Sequence, residues 1–380
     1  MAYSKIFRVR LVAFSPIHIG CDDVYDPTSF IIDEKNKKLI HFKPQDFIKS
    51  LKEEEWRIFS ELCSIGTVKS LIEIFKFIGA TQVQGNGNSV ELCSGFLEHY
   101  KELKELTEEL KELTESKIEI KMKQFVINRT AYNPNSQQPY IPGSSLKGSL
   151  RTAYLNLLAR ETRSAQSPVK KSKDLEERLL GGSFFSDPLR FLHISDLQPK
   201  EVSRKIVYAV NKKKKVSKYE PQGPFQILET IQPGSEFEGT VEIVSPIGKA
   251  ADLRVADSLN SLNPLKLFNA VKNFYIKSLF PEEEEIAQNI GTNLDLVKEG
   301  KDQSEKDESL HLVRIGRHSG AEAVTIEGHR NIKIMQKKGE KPKYEDHSTT
   351  VWLASDKRKP NNTANLLPFG WALLKFAKAG

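Results

Sequence analysis

The chain has 380 residues, 28% of them charged, and a net charge of +7. That length holds two domains of ordinary size, and the modest basic excess permits a polyanion partner without requiring one. Cys21, Cys63 and Cys93 form no CxxC or Cys/His pattern, so neither a zinc site nor a disulfide framework is supported, and no bound metal is expected. No apolar run nears the ~18 residues of a membrane helix, and no signal core follows the N-terminus. A cytoplasmic protein without a membrane partner or cofactor is expected.

Residues 5–14, KIFRVRLVAF, alternate with period two. Phe7, Val9, Leu11 and Ala13 share one face and Arg8 and Arg10 the other, which predicts a strand whose open face carries guanidinium groups. The following loop, PIHIGCDDVYDPTS, gathers His18, Asp22, Asp23 and Asp26. Such a set suits a divalent metal or acid–base work on RNA, and it equally suits ordinary turn chemistry. FIIDEKNKKLIHF reads as a hairpin turning at Lys35–Lys38.

From Pro44 to about Ile78 the pattern is helical, until glycines and asparagines break it. Residues 97–116 form a further helix on Leu103, Leu106, Leu110 and Leu113, expected to pack within its own domain. KIEIKMKQFVI, residues 117–127, alternates as a strand.

YIPGSSLKGSLRTAYLN, residues 140–156, starts a helix after Pro142, with Ser144 or Ser145 as its cap. Leu146, Leu150, Tyr154, Leu157 and Leu158 mark its buried face. Lys147 and Arg151 stand at i and i+4, while Gly143 and Gly148 let a backbone or ligand come close. Free amides, a positive dipole and two adjacent cations suit a phosphate. A capped helix with surface cations would show the same residues. The order Lys-Gly-Ser is not that of a Walker A loop, so nucleotide hydrolysis is not indicated.

Beyond a linker or mobile loop at residues 163–174, strands are expected at FLHISDL and KIVYAV, then a hairpin in PFQILETIQPGSEFEGTVEIV turning at Pro233-Gly234-Ser235. Helices cover about 262–300, and strands return at HLVRIG, TVWLA and FGWALLKF. RIGRHSG sets Arg314, Arg317 and His318 among Gly316, Ser319 and Gly320, a possible amide nest for phosphate or a tight turn. NKKKKVSK and DKRKP are charge runs of the kind usually found in solvated loops.

IPGSSLKGSLR, SPIHIGCDDVYDPTSFIID and RIGRHSGAEAVTIEGHR, in their order along the chain, resemble the RAMP proteins of type III CRISPR effector complexes. Within these the likeness is to the family of type III-A (Csm) subunits that cap the crRNA 3′ end. The resemblance implies an α+β fold of two ferredoxin-like, RRM-type domains, placed at residues 1–180 and 181–380. Helical insertions then fall at about 44–116 and 262–305. It implies crRNA and the other Csm RAMP backbone subunits as partners, with a host nuclease that trims crRNA as a further one. Carried over residue by residue, RNA contacts fall on Ser144, Ser145, Lys147, Gly148 and Arg151, and on the element holding Arg314, Gly316, Arg317, His318, Ser319 and Gly320. Aromatic RNP strand motifs are missing, so backbone contact is expected rather than base stacking. A binding module is implied. The alternative is a RAMP endoribonuclease that processes crRNA through His18, Asp22, Asp23 and Asp26.

Overall fold

The computed structural model describes residues 3–26, 28–81, 88–109, 125–162, 172–182, 187–217, 221, 223–245, 262–336 and 339–378. The alternation near the N-terminus becomes β1 (Tyr3–Ala13), with Phe7, Val9 and Leu11 buried and Arg8 and Arg10 exposed. β2 (Gly20–Val24), β3 (Phe30–Asp33) and β4 (Lys38–His41) follow, then helices α1 (Pro44–Ser50), α2 (Glu53–Ile65) and α3 (Val68–Ala80). β5 (Asn88–Leu92) leads to α4 (Ser94–Glu109). The rest of the expected 97–116 helix, and residues 117–124 of the expected 117–127 strand, lie outside the described residues.

β6 (Ile127–Thr130) precedes α5 (Gly143–Glu161), and α6 (Ser172–Leu179) begins where a linker was expected. Next come β7 (Leu192–Ile194), β8 (Gln198–Glu201), β9 (Arg204–Lys213), β10 (Gln226–Ile231) and β11 (Glu236–Ser245). α7 (Pro264–Lys272) passes through a π-helical segment, Asn273–Leu279, into α8 (Phe280–Ile290), and α9 (Asp295–Lys306) completes the helical stretch. The chain ends in β12 (Leu310–Arg314), β13 (Ile332–Ile334), β14 (Lys343–Glu345), β15 (Thr350–Ser355), β16 (Leu367–Pro368) and β17 (Trp371–Lys378). The fold is mixed α+β. No helix among the described residues is long and apolar enough to cross a membrane.

The first sheet runs β12-β17-β1-β11-β7, antiparallel throughout, with β8 also on β11. α5 and the α7–α9 stretch pack on its apolar face around Val9, Leu11, Phe237 and Leu374. Its other face stays open, with Arg8, Arg10 and Lys375 exposed. The second sheet runs β2-β6-β10-β9-β5-β4-β3, and β15 lies beside the far end of β9. Its core gathers Tyr25, Phe96, Ile206 and Tyr208, and α1–α3 add a smaller cluster around Phe47 and Ile78.

Both sheets draw strands from either side of residue 180, so the expected boundary there does not divide them. The expected hairpin at residues 224–244 is corrected for the same reason. β10 pairs with β9 in the second sheet and β11 with β1 in the first, and the chain crosses between sheets at Pro233–Ser235. A turn residue fixes a local bend but not the partner of the strand that follows. Other crossings lie alongside: Ile17 and Ile231 exchange backbone hydrogen bonds, Gly234 N donates to Ala13 O, and Gly370 N donates to Pro16 O. Ile315 N in turn donates to Gly370 O. Four segments thus form a waist where the sheets meet.

Candidate nucleic-acid interface

α5 starts at Gly143, with Pro142 in the cap position and no side-chain cap, so neither serine caps it. Gly143 N instead donates to Asp196 Oδ1 at 2.9 Å. That carboxylate takes the place at the positive helix end that an anionic ligand would favour. A Cβ on Gly143 would lie 2.2 Å from Ile194 O, so only glycine lets the helix abut that strand. Ser144 and Gly148 are exposed, Ser145 is half-buried, and a Cβ on Gly148 would meet nothing within 4 Å. The stretch from Ser144 to Gly148 is an open surface.

The two cations near the start of this helix differ. Lys147 Nζ donates to Leu192 O at 2.8 Å and keeps two further N–H bonds to give. Burial lowers its pKa, Asp187 opposes that, and Arg151 adds to it. Arg151 is gripped by Asp187 at 2.5 Å and Glu176 at 2.9 Å. Burial works against its charge, but the hydrogen bonds to both carboxylates outweigh this and raise its pKa. Its charge is spent inside the protein.

The glycine-rich element sits at the waist. Arg314 is buried, pairs with Glu283 at 2.6 Å and donates through Nε to Phe369 O at 2.8 Å. Its guanidinium therefore does not reach solvent, which corrects the expectation of an RNA contact. Gly316 has φ 84°, and a Cβ there would lie 2.6 Å from His18 O. Arg317 N donates to that same oxygen at 2.8 Å. His318, at φ 66°, packs its ring 4.9 Å from Trp352 and 5.4 Å from Phe369. Ser319 Oγ donates to Gly316 O at 2.9 Å, and Gly320 has φ 84°. The turn spends its hydrogen bonds internally. The Arg317 side chain differs: it is exposed, runs along Gly20, and makes no ion pair among the described residues.

The first loop does not assemble as an acid–base set. His18 is buried, with Nδ1 2.8 Å from Glu229 O, and burial lowers its pKa to about 4. Asp22, Asp23 and Asp26 are exposed. Asp23 accepts from Tyr132 OH at 2.6 Å, and Asp26 accepts from Thr28 N at 2.8 Å as in an Asx turn. No group of three or more His, Cys, Asp or Glu among the described residues is placed to hold a metal ion.

Tertiary structure brings the two distant motifs together. Ser149 Oγ of α5 donates to Arg314 O at 3.0 Å. Asn156 Nδ2 donates to Thr325 O at 3.2 Å, and Asn156 Oδ1 accepts from Glu327 N at 2.9 Å. The sequence reading missed Asp196 and the buried Glu229, which pairs with Arg204 at 2.8 Å. Glu229 left a signal, a lone acid inside the apolar run FQILETI. The charge runs are partly tied down, with Lys214 on Glu322 at 2.6 Å and Arg358 on Glu102 at 2.5 Å.

A family model described as the RAMP superfamily matches residues 10–347. The chain belongs to the RAMP superfamily. No curated protein matches it. Among solved structures, it resembles a chain of a Csm–crRNA–target RNA ternary complex from a type III-A CRISPR–Cas system. The TM-score is 0.60 at 17% identity, covering 97% of this chain and 100% of that one. It also resembles Csm5 of T. onnurineus, with a TM-score of 0.52 at 16% identity over 96% and 99% of the two chains. At these identities the likeness is one of fold, along the whole length of this RAMP protein.

Proposed function

We propose that this RAMP protein is an RNA-binding subunit of a type III-A CRISPR effector, holding the 3′ end of crRNA and supporting its maturation in antiviral defence. The observation that carries the reading is the fold match over nearly the whole chain to a subunit of a Csm–crRNA–target RNA complex. The first sheet supports the finer architecture. Setting aside β12 and β8 and the strands of the second sheet, its path β1-α5-β7-β11-helices-β17 with the strand order β17-β1-β11-β7 would be that of a ferredoxin-like unit. The second sheet would be the core of the other unit, each unit being shared between residues 1–180 and 181–380.

The proposed RNA contacts are the exposed or half-exposed groups: Ser144, Ser145, Lys147 and Gly148 on α5, and Arg317 across the waist. Arg151 would act by holding Asp187 and Glu176 in place. Gly316, His318, Ser319 and Gly320 would shape the turn that presents Arg317. Contacts of this kind read phosphate and sugar rather than bases, as a guide carrier needs. The burial of neutral His18 supports a binding module over the endoribonuclease alternative. Final trimming of crRNA would then fall to a separate nuclease.

The test has two parts. Binding of a single-stranded RNA by Lys147→Ala and Arg317→Ala proteins, measured across salt concentrations, should give salt slopes lower by about one unit each. crRNA from complexes carrying both substitutions should change length at its 3′ end and keep its 5′ end. Unchanged 3′ ends with full incorporation of the variant would sink the capping reading.

A further inference from the structure

α2 is a helix of thirteen residues, none of them buried. Its inner side, Phe59 and Leu62, leans on the α1–α3 cluster. A helix this short is marginal alone in water and depends on what packs against it. One flank carries Glu54, Ile58, Glu61 and Ile65, spaced by four, three and four residues. At the helical period these fall in a stripe about 60° wide, beside the inner face. Ile58 is 46% exposed and Ile65 57%. Glu54 and Glu61 make no ion pair among the described residues.

In a basic chain this helix is acidic, with four glutamates against one arginine. Glu53, Glu54 and Glu55 stand in the first turn, where the helix dipole favours them. Glu61 lies beyond that reach. RNA is a poor occupant, because carboxylates repel phosphate and isoleucine offers no ring for a base to stack on. The geometry points to a protein-docking stripe. Its occupant is an apolar segment of a neighbouring subunit, flanked by Lys or Arg at a spacing that meets Glu54 and Glu61. The apolar pair supplies the desolvated centre, and the acids set register and orientation. The inference rests on the functional reading above for the assembly in which that neighbour is found.

The experiment co-expresses the full chain with the other subunits of its effector and crRNA, and purifies through a tag on another subunit. Native mass spectrometry then reads how much of this chain is retained. Ile58→Ser with Ile65→Ser, and separately Glu54→Lys with Glu61→Lys, should each lower retention by about tenfold. Single-stranded RNA binding by the isolated variants should not fall more than about twofold below the parent. Trp56→Ala, half-exposed on the opposite flank of α2, should be retained like the parent.

Full retention of both double variants would overturn the stripe, as would an equal loss in Trp56→Ala. Parallel loss of RNA binding would do so too. A dimer of the isolated chain abolished by the Ile58/Ile65 change would replace the neighbour with a second copy. Failure of the parent chain to enter the complex at all would instead defeat the functional reading, and the neighbour with it.

Discussion

The helix start at residues 140–156 and the turn at 314–320 read alike in sequence: small residues, glycines and a pair of arginine or lysine cations, each suited to phosphate. In the structure they diverge. The first presents Ser144 and Gly148 at an open surface, with Lys147 anchored by one of its three donors. The second is packed into the waist between sheets, where Gly316 presses on His18 O, Arg314 is buried against Glu283 and His318 is wedged against Trp352. The same composition thus serves close approach in two senses, to an outside ligand and to the protein's own backbone.

The sharpest way to break this contrast is to remove Arg314. Arg314→Ala leaves Glu283 buried and unpaired, and should cost about 3–5 kcal/mol in chemical denaturation. A loss under 1 kcal/mol would mean the guanidinium is not structural. Gly316→Ala should follow at about 3 kcal/mol, since it combines a positive φ with a Cβ only 2.6 Å from a carbonyl oxygen. Wild-type melting behaviour there would remove the waist as the reason for the glycine.

Acid should find the same region. Burial holds His18 near pKa 4 and His318 near 3, below the ordinary 6.5, with each ring's charge also opposed by Arg317. Their contribution is complete above pH 6.5 and is lost as pH falls toward 4 for His18 and toward 3 for His318, because the unfolded chain takes up protons first. Each contributes a slope of about 1.4 kcal/mol per pH unit in that window. His318→Asn, which tolerates the positive φ, should therefore flatten the stability–pH curve by about that slope. An unchanged slope would place the ring in solvent.

At the helix start the expected effects on stability are smaller and of opposite sign. Gly148→Ala should raise stability by about 1 kcal/mol, because nothing lies within 4 Å of the new Cβ. It should also weaken RNA binding if a sugar–phosphate backbone passes close by. Higher stability with unchanged affinity would move the RNA path away from this glycine. In the turn itself, Arg317→Ala should alter stability by less than about 0.5 kcal/mol, for the side chain is exposed.

Much of the fold was legible because hydrophobic periodicity reports burial directly. β1 shows it, with Phe7, Val9 and Leu11 inside and Arg8 outside, and α5 does with Leu146, Leu150 and Tyr154. The helical insertion after Pro44 and the helices within 262–306 stand where their patterns put them. The cap of α5 was misread because its acceptor, Asp196, lies 53 residues away. Nothing in IPGSSLKGS records that distant carboxylate.

What the sequence determined alone is which stretches form strands and helices, which faces they bury, and the motif order that marks a RAMP protein. The elements and their buried faces depend on neighbours within a turn or two of the chain. Pairing was decided only in three dimensions: β10 and β11, joined by a short turn, belong to different sheets because their best partners lie elsewhere. The same holds for charge. Whether a cation faces a ligand or the protein depends on carboxylates far along the chain, Asp187 for Arg151 and Glu283 for Arg314. Lys147 and Arg317 remain available because no carboxylate closes an ion pair with either among the described residues, although Asp187 lies near enough to favour the Lys147 charge.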